Sequence, residues 1–278
     1  MARGREISPF TVPLVTAFHE NSVLDTEILR ELAEENLLYV IWIMPRSGST
    51  WFHELIRNSG GMGEPQEWFN DDLFAGEPAS LPVPGPERTA DINQYVAKLV
   101  QRGQGVAGTQ LSYWQALSLA GLADGPIPFD KIKLFYLRRR DILSQSISFY
   151  KSVATGYWHS YQGSSDRIAE LPFDLSACVR SLSELVGNEA RFEELFESCG
   201  VDPVRLYYED IEADPLSSLR AFASVLAVKA PTELPTSQLR RLRNGQTEEW
   251  RRELEASDEA ARILASRPSV GSPFAPTA

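Results

Sequence analysis

The sequence predicts a three-layer α/β fold with a central, mostly parallel sheet. Apolar runs typical of buried strands, such as Leu38 to Met44 and Lys131 to Leu137, alternate with segments that have the periodicity of amphipathic helices. Strands separated by helices imply βαβ units and therefore a parallel sheet. With 278 residues and 43% hydrophobic content, the chain is long enough for one large domain with a substantial core.

Each element has its own local signal. Asp25 through Asn36 is predicted to be a helix with Asp25 at its N-cap, and it leads into the first strand. The next helix should run from Ser49 to about Asn58, where two glycines end it. The same signals predict further strands at Gly105 to Ser112 and Val204 to Tyr208, and helices at Ile142 to Val153, Leu175 to Cys199 and Leu216 to Leu226.

The two ends of the chain are expected to differ from a central domain of residues 37–265. Residues 1–36 would form an N-terminal arm and the helix just described, and residues 266–278, rich in Pro, Ser and Ala, would form a loose tail. Residues 75–88 are rich in proline, so we expect a surface excursion there. This excursion and the arm are candidates for partner contacts.

Charge and residue counts argue against several functions. Lys and Arg total 27 against 38 Asp and Glu, a net charge of −11, which disfavours nucleic acid and anionic membranes as partners. The three histidines are scattered, and Cys178 and Cys199 are expected to be packed thiols, so no metal site is predicted. No apolar run approaches the roughly 20 residues of a membrane span, and no signal-peptide pattern is seen, so we expect a cytoplasmic protein.

The most informative motif lies between the first strand and the next helix and reads Pro45-Arg46-Ser47-Gly48-Ser49-Thr50-Trp51. Backbone N–H groups at the start of a helix bind anions, so this segment predicts a P-loop-like phosphate site. A nucleotide triphosphate loop needs a second glycine followed by Lys and Ser or Thr. Here the only charge, Arg46, precedes a single glycine. The loop therefore predicts a phosphate-type ligand, and it departs from the nucleotide triphosphate pattern.

A second cluster of positive charge follows the third predicted strand. It consists of three consecutive arginines, Arg138 to Arg140, and nearby serines at 144, 146 and 148. Ligands of open α/β sheets bind at the carboxyl ends of strands, so this cluster is a candidate anion site. Three adjacent arginines cannot all face one ligand, and at least one of them is expected to be an ordinary surface charge.

The two motifs resemble those of sulfotransferases, which use 3′-phosphoadenosine 5′-phosphosulfate (PAPS) as donor. The Arg46 loop closely resembles their 5′-phosphosulfate loop, and Arg139 to Tyr150 looks like their 3′-phosphate segment, particularly in the branch that includes trehalose 2-sulfotransferase. The resemblance implies that Arg46 stabilises charge on the bridging oxygen and that Trp51 stacks on adenine. It further implies donor contacts from Arg46, Ser47, Gly48, Ser49, Thr50, Arg139 and Ser148, with Arg138 and Ser146 as register alternatives.

A third similarity concerns the acceptor. The turn formed by Gly63, Glu64, Pro65, Gln66, Glu67, Trp68 and Phe69 is similar to the acceptor-binding and base motif of trehalose 2-sulfotransferase-like enzymes. The match implies that Glu67 is the general base, that Glu64 is an acceptor ligand and that residues 64–69 bind the acceptor. Trp68 and Phe69 could supply an apolar setting that raises the pKa of the base. The alternative for this turn alone is a solvated acidic loop.

The resemblance covers about Tyr39 to Trp250. It implies an enzyme that moves the sulfuryl group from PAPS to a hydroxyl of a small acceptor, a carbohydrate by analogy, by in-line displacement; related enzymes are often homodimers. Tyr207 to Asp210 resembles a segment whose acidic residues are structural. Gln110 stands where trehalose-type enzymes carry Lys, and Arg240 to Gln246 aligns only loosely with the donor-covering loop.

Two other functions stay open at this point. A nucleotide-dependent phosphoryl transferase would have a similar fold, but the loop lacks the required Lys, and no carboxylate pair for magnesium is evident. A nucleotide-binding module that has lost catalysis is the third possibility, and its best support is Gln110.

Overall fold

A computed structural model of the chain describes residue 18 and residues 22–70, 91–158, 171–237 and 245–269. Several predictions fall outside these residues. They concern the N-terminal arm before residue 22 apart from residue 18, the proline-rich excursion at 75–88, the basic segment at 240–244 and the tail from residue 270.

In the described part of the chain, four strands form one parallel sheet, listed here in chain order: β1 (Leu37–Ile43), β2 (Val106–Leu111), β3 (Lys133–Arg138) and β4 (Val204–Tyr207). Their spatial order is β2-β1-β3-β4, and each neighbouring pair is parallel. The chain therefore moves outward from β1 to β2 and then returns to the other side of β1. The crevice between the carboxyl ends of β1 and β3 is the switch point at which open α/β sheets bind ligands.

Side chains of β1 alternate between two apolar cores, one on each face of the sheet. Tyr39, Ile41 and Ile43 belong to one cluster of buried residues, and Trp42 and Met44 belong to the other. A strand that is buried on both faces requires helices above and below it. The structure confirms the predicted three-layer α/β fold with a central parallel sheet.

Helices cover both faces of this sheet. In chain order they are α1 (Thr26–Glu35), α2 (Ser49–Ser59), α3 (Ile92–Arg102), α4 (Tyr113–Leu122), α5 (Ile142–Thr155), α6 (Leu175–Cys199), α7 (Tyr208–Ala213), α8 (Pro215–Leu226), α9 (Gly245–Glu255) and α10 (Asp258–Ala265). A short 3₁₀ turn, Phe129–Lys131, precedes β3.

The five predicted helices, α1, α2, α5, α6 and α8, are confirmed with small shifts at their ends. Local caps explain why their bounds were predictable: the Asp25 carboxylate accepts hydrogen bonds from the N–H groups of Glu27 (2.9 Å) and Ile28 (3.1 Å). Helices α3, α4, α7, α9 and α10 were not predicted. Of these, α4 begins with a capping box formed by Ser112 and Gln115, a signal that the sequence carried.

The two cysteines differ in environment. Cys178 is buried in α6, and burial raises the pKa of its thiol to about 12, so it is a packed thiol as expected. The same expectation is wrong for Cys199, which is exposed because it is the last residue of that helix. Among the described residues, no cluster of three or more His, Cys, Asp or Glu side chains could hold a metal ion.

The segments that flank the central domain are in contact with it where they are described. Leu24 forms an isolated parallel bridge with Ala123, and α1 packs against β1 and α3. At the other end, residues 267–269 contact the end of β3. The domain boundaries themselves stay a prediction. None of the helices within the described ranges is both long enough and apolar enough to span a bilayer.

Candidate active site

The loop after β1 turns sharply into α2. The N–H group of Ser47 donates to the carbonyl oxygen of Met44 (3.2 Å), and that of Phe52 donates to Gly48 (3.1 Å). Gly48 has a φ of 88°, and a Cβ atom at this position would lie 2.3 Å from Cδ2 of Tyr208. Only glycine therefore fits between the strand and the helix. The first turn of α2 follows the carboxyl end of β1 at the switch point, and N–H groups at the start of a helix bind anions.

Arg46 is the cation of this loop. Its backbone has a φ of 61°, a left-handed conformation that is uncommon for residues other than glycine and is often found at functional sites. Its Nε donates to the hydroxyl of Ser148 (3.0 Å), and its Nη1 donates to the carbonyl oxygen of Trp158. Burial and the nearby Arg139 lower the pKa of Arg46 to about 10, so the guanidinium stays charged at neutral pH.

Arg139 joins the same site from the end of β3. Its Nη1 donates to the carbonyl oxygen of Arg46 (3.3 Å), and its guanidinium carbon lies 4.9 Å from the centre of the Tyr208 ring. Its side chain is buried. The structure thus brings the two predicted anion motifs, the Arg46 loop and the pair Arg139 and Ser148, into direct contact at the switch point.

The register alternatives, Arg138 and Ser146, face the protein interior. Arg138 is fully buried and pairs with Glu189, with 2.8 Å between Nη2 and Oε2. Ser146 is also fully buried, and its hydroxyl donates to the carbonyl oxygen of Leu143 (2.8 Å). Because successive strand residues point to opposite faces, Arg139 points away from Arg138 and towards the loop. The geometry therefore favours Arg139 and Ser148.

The third consecutive arginine has a structural partner. Arg140 makes a bidentate ion pair with Asp210, at 2.6 Å and 2.8 Å. The neighbouring carboxylate of Glu209 accepts hydrogen bonds from the N–H groups of Arg140 (2.9 Å) and Asp141 (3.1 Å), and so holds the start of α5. These contacts fit the structural role that the sequence resemblance implied for the acidic residues after β4.

The predicted acceptor turn runs along the outer edge of β2. Gln66 forms a parallel bridge with Thr109, and its carbonyl oxygen accepts from the N–H group of Gln110 (2.9 Å). Glu67 therefore lies level with Gln110, close to the carboxyl end of β2. The buried side chain of Gln110 donates from Nε2 to the carbonyl oxygen of Ser49 (3.0 Å), so this residue connects the turn to the first turn of α2.

The two glutamates of the turn have different surroundings. Glu67 accepts a hydrogen bond from Nδ2 of Asn70 (3.0 Å) at the carboxyl end of the sheet. Glu64 lies further towards the amino end and pairs with Arg102, whose Nε and Nη2 are 3.0 Å and 2.8 Å from Oε2. The base role of Glu67 and the acceptor role of Glu64 stay predictions. Of the two, Glu67 lies at the end of the sheet that carries the loop.

The aromatic residues named in the sequence analysis are partly structural. Pro65, Trp68 and Phe69 are buried, and Nε1 of Trp68 donates to the carbonyl oxygen of Glu64 (2.9 Å). Trp51 is half-buried, and its ring centre lies 6.1 Å from that of Tyr208 in an edge-on arrangement. Adenine stacking on Trp51 stays a prediction.

Three residues to which the sequence analysis gave no role hold the loop in place. Nε2 of Gln145 on α5 donates to the carbonyl oxygen of Pro45 (2.7 Å), Tyr208 packs against Gly48, and Trp158 accepts from Arg46. Gln145 and Tyr208 lie inside motifs that already resembled those of sulfotransferases. Their contacts could not be read from the sequence, because each of them touches a residue about a hundred or more positions away.

Comparisons with known proteins find similarity to sulfotransferases. Residues 127–256 match the family model described as Stf0 sulphotransferase. The trehalose 2-sulfotransferase of Mycobacterium tuberculosis (strain ATCC 35801 / TMC 107 / Erdman) is 23% identical over 247 residues, which cover 76% of this chain and 92% of that protein. The trehalose 2-sulfotransferase of Mycolicibacterium smegmatis (strain ATCC 700084 / mc(2)155) is 23% identical over 263 residues, with 79% and 94% coverage.

A crystal structure of a sulfotransferase from Alicyclobacillus acidocaldarius aligns with 91% of this chain and 96% of its own, at 12% identity and a TM-score of 0.33. The family-model match begins at residue 127 and therefore includes the end of β3. Residues 127–256 are therefore similar to the Stf0 sulphotransferase family, and the two sequence matches support a relation of the chain to trehalose 2-sulfotransferases.

Proposed function

We propose that the protein transfers the sulfuryl group of PAPS to a hydroxyl of a small carbohydrate. The observation that carries the proposal is the contact between the Arg46 loop and the pair Arg139 and Ser148 at the switch point of the sheet. The half-buried guanidinium of Arg46, the buried one of Arg139 and a helix N-terminus together form a site for a strongly anionic ligand.

The donor fits the groups that this crevice offers. The hydroxyl of Ser47 is fully buried and has no hydrogen-bond partner among the described residues, which is unusual unless a ligand supplies one. The 5′-phosphosulfate would lie against Ser47 to Thr50, and the 3′-phosphate against Arg139 and Ser148. The charge of both phosphate groups would offset the repulsion between Arg46 and Arg139.

The reaction requires little covalent chemistry from the protein. Glu67 takes the proton of the acceptor hydroxyl, whose oxygen forms a bond to sulfur while the bond from sulfur to the bridging oxygen breaks. Arg46 and the loop amides stabilise the negative charge that collects on the departing phosphate. Arg46 cannot donate its proton efficiently at neutral pH because its pKa is still about 10.

The position of Gln110 supports the pairing of base and donor. This residue bonds through its backbone to the Glu67 turn and through its side chain to the first residue of the helix that follows the Arg46 loop. A carbohydrate acceptor is proposed because the two relatives above are trehalose 2-sulfotransferases.

The test is turnover by purified protein that is given PAPS and a panel of sugars and other alcohols, with release of adenosine 3′,5′-bisphosphate as the readout. Glu67→Gln should keep its affinity for that nucleotide and lose most of its turnover, on the order of 10²-fold or more. The control is Glu35→Gln, which changes an exposed glutamate at the end of α1 and should leave both quantities unchanged.

Three results would redirect the proposal. The proposal is defeated if the protein shows no turnover and also does not bind the bisphosphate. A magnesium requirement would favour a phosphoryl transferase. Tight binding of the nucleotide without turnover on any acceptor would favour a binding module. Unchanged turnover of Glu67→Gln would show that Glu67 is not the general base and would leave the rest of the proposal in place.

A further inference from the structure

The last described residues of the chain lock onto the end of β3. We call residues 267–269 the C-terminal strap. From this strap, Arg267 donates through Nη2 to the carbonyl oxygen of Arg139 (2.6 Å) and through Nη1 to that of Arg140 (2.8 Å). In return, Arg138 donates to the two carbonyl oxygens that follow Arg267 in the strap, at 3.3 Å and 3.0 Å. The strap and the end of β3 are therefore joined by hydrogen bonds donated from both sides.

One carboxylate lies between the two guanidinium groups. Glu189 of α6, with a side chain that is 1% exposed, accepts from Arg267 at 2.8 Å and 2.9 Å and from Arg138 at 2.8 Å. The side chain of Arg267 is 10% exposed and that of Arg138 is fully buried. A buried ion pair often adds no net stability over an apolar replacement. The cluster is therefore better explained by the geometry that it fixes.

That geometry concerns the donor site. The strap holds the backbone of Arg139, while the side chain of the same residue contacts the Arg46 loop and the ring of Tyr208. The contacts of Arg267 are to carbonyl oxygens and to Glu189, so its most direct connection to the donor site is through Arg139.

We propose that Arg267 is a positioning residue for the donor site. By holding the carbonyl groups of Arg139 and Arg140, it fixes the direction in which the Arg139 side chain enters the crevice, and it thereby sets the affinity for the 3′-phosphate of the donor. The inference rests on the proposed function. A planar guanidinium is required because only its fork of five N–H donors can reach two carbonyls and a carboxylate together.

The test compares two nucleotides that differ only in the 3′-phosphate. Calorimetry on the full chain measures binding of adenosine 3′,5′-bisphosphate and of adenosine 5′-monophosphate to the wild type, Arg267→Met and Arg267→Lys. The control, Arg205→Met, removes another ion pair of α6, at 2.7 Å from Glu193. Temperatures stay below the unfolding midpoint of the least stable variant, and Arg267→Lys carries the test if Arg267→Met does not fold.

Arg267→Met should weaken bisphosphate binding by about tenfold, the size of one charge-assisted hydrogen bond, with little change for the monophosphate. Arg267→Lys should show a smaller loss in the same direction. The control should keep the wild-type ratio of the affinity for the bisphosphate to the affinity for the monophosphate. In an Arg139→Ala background, Arg267→Met should not lower this affinity ratio further, because the side chain that it positions has been removed.

Equal weakening of both nucleotides, or an additive loss in the Arg139→Ala background, would overturn the inference and leave the proposed function in place. If the wild type does not prefer the bisphosphate, the 3′-phosphate site itself is wrong. In that case the proposed function and this inference fall together.

Discussion

Gly48→Ala is the substitution that tests the donor loop most directly. The glycine has a φ of 88°, and an added Cβ atom would lie 2.3 Å from Cδ2 and 2.8 Å from Cε2 of Tyr208. The substitution therefore lowers the free energy of unfolding for two separate reasons. One is the left-handed backbone conformation at this position, and the other is the collision of the new Cβ atom with the Tyr208 ring.

The size of each penalty can be worked out. A left-handed conformation costs a residue other than glycine about 1–2 kcal/mol. Overpacking of a well-filled site adds about 1–3 kcal/mol. The total of about 2–5 kcal/mol is a large part of the roughly 5–15 kcal/mol by which a domain is stable. It corresponds to a fall in the melting temperature on the order of 10 °C for a chain of this size.

Urea unfolding of Gly48→Ala and of a matched control separates the two penalties. Gly60, at the other end of α2, has a φ of 71°, and an added Cβ there would meet no atom within 4 Å. Gly60→Ala should therefore cost only the backbone term of about 1–2 kcal/mol. In a Tyr208→Ala background, Gly48→Ala should lose its collision term and cost about the same as the control.

The same variant should bind adenosine 3′,5′-bisphosphate more weakly, because the collision moves the loop relative to Arg139. Equal losses of unfolding free energy for Gly48→Ala and Gly60→Ala would show that Tyr208 moves aside easily and that the loop is not tightly packed. If Gly48→Ala costs as much in the Tyr208→Ala background as in the wild type, the collision with Tyr208 is not the cause of the loss.

Three further predictions concern buried polar groups. Gln110→Leu should lower the free energy of unfolding by about 1 kcal/mol and weaken bisphosphate binding, because it removes the hydrogen bond to Ser49. Urea unfolding and calorimetry measure the two effects. Unchanged binding would show that the contact of β2 with α2 does not support the Arg46 loop. Glu189→Gln should cost about 3–5 kcal/mol in urea unfolding, because Arg138 loses its buried carboxylate, and a loss below about 1 kcal/mol would contradict this. Burial lowers the pKa of Lys151 to about 8 from 10.5, so the unfolded chain binds more protons between these values and stability should rise from about pH 8 to 10.5. Lys151→Met should lack this rise, and an identical pH profile for the two proteins would show that the lysine is not the cause.

The strands and the long helices were predictable because their signals are local. Lys131 to Leu137 differs from the observed β3 by two residues at its start and one at its end, and Leu175 to Cys199 is the observed α6. A buried parallel strand needs a continuous apolar run, and a long helix needs a cap and a periodic face; both are written in consecutive residues.

The candidate site was predictable in part. The loop at Arg46 and the segment at Arg139 were found as motifs, but two register alternatives, Arg138 and Ser146, stayed open. Packing disfavours them, because Arg138 is paired with a carboxylate on α6 and Ser146 is bonded within its own helix. Glu64 is a similar case, since its partner Arg102 is 38 positions away in the chain.

By itself, the sequence determined the α/β class and the order of the main elements, and it located the two motifs that we predict to bind anions, because periodicity, caps and a glycine-containing loop are properties of neighbouring residues. The tertiary structure decided that Arg46 meets Ser148, that Gln110 connects the acceptor turn to the donor loop, and that Arg267 holds the end of β3. These contacts join residues that are 44 to 128 positions apart. They depend on strand order and on which face of the sheet each side chain occupies, and neither is fixed until the whole chain has packed.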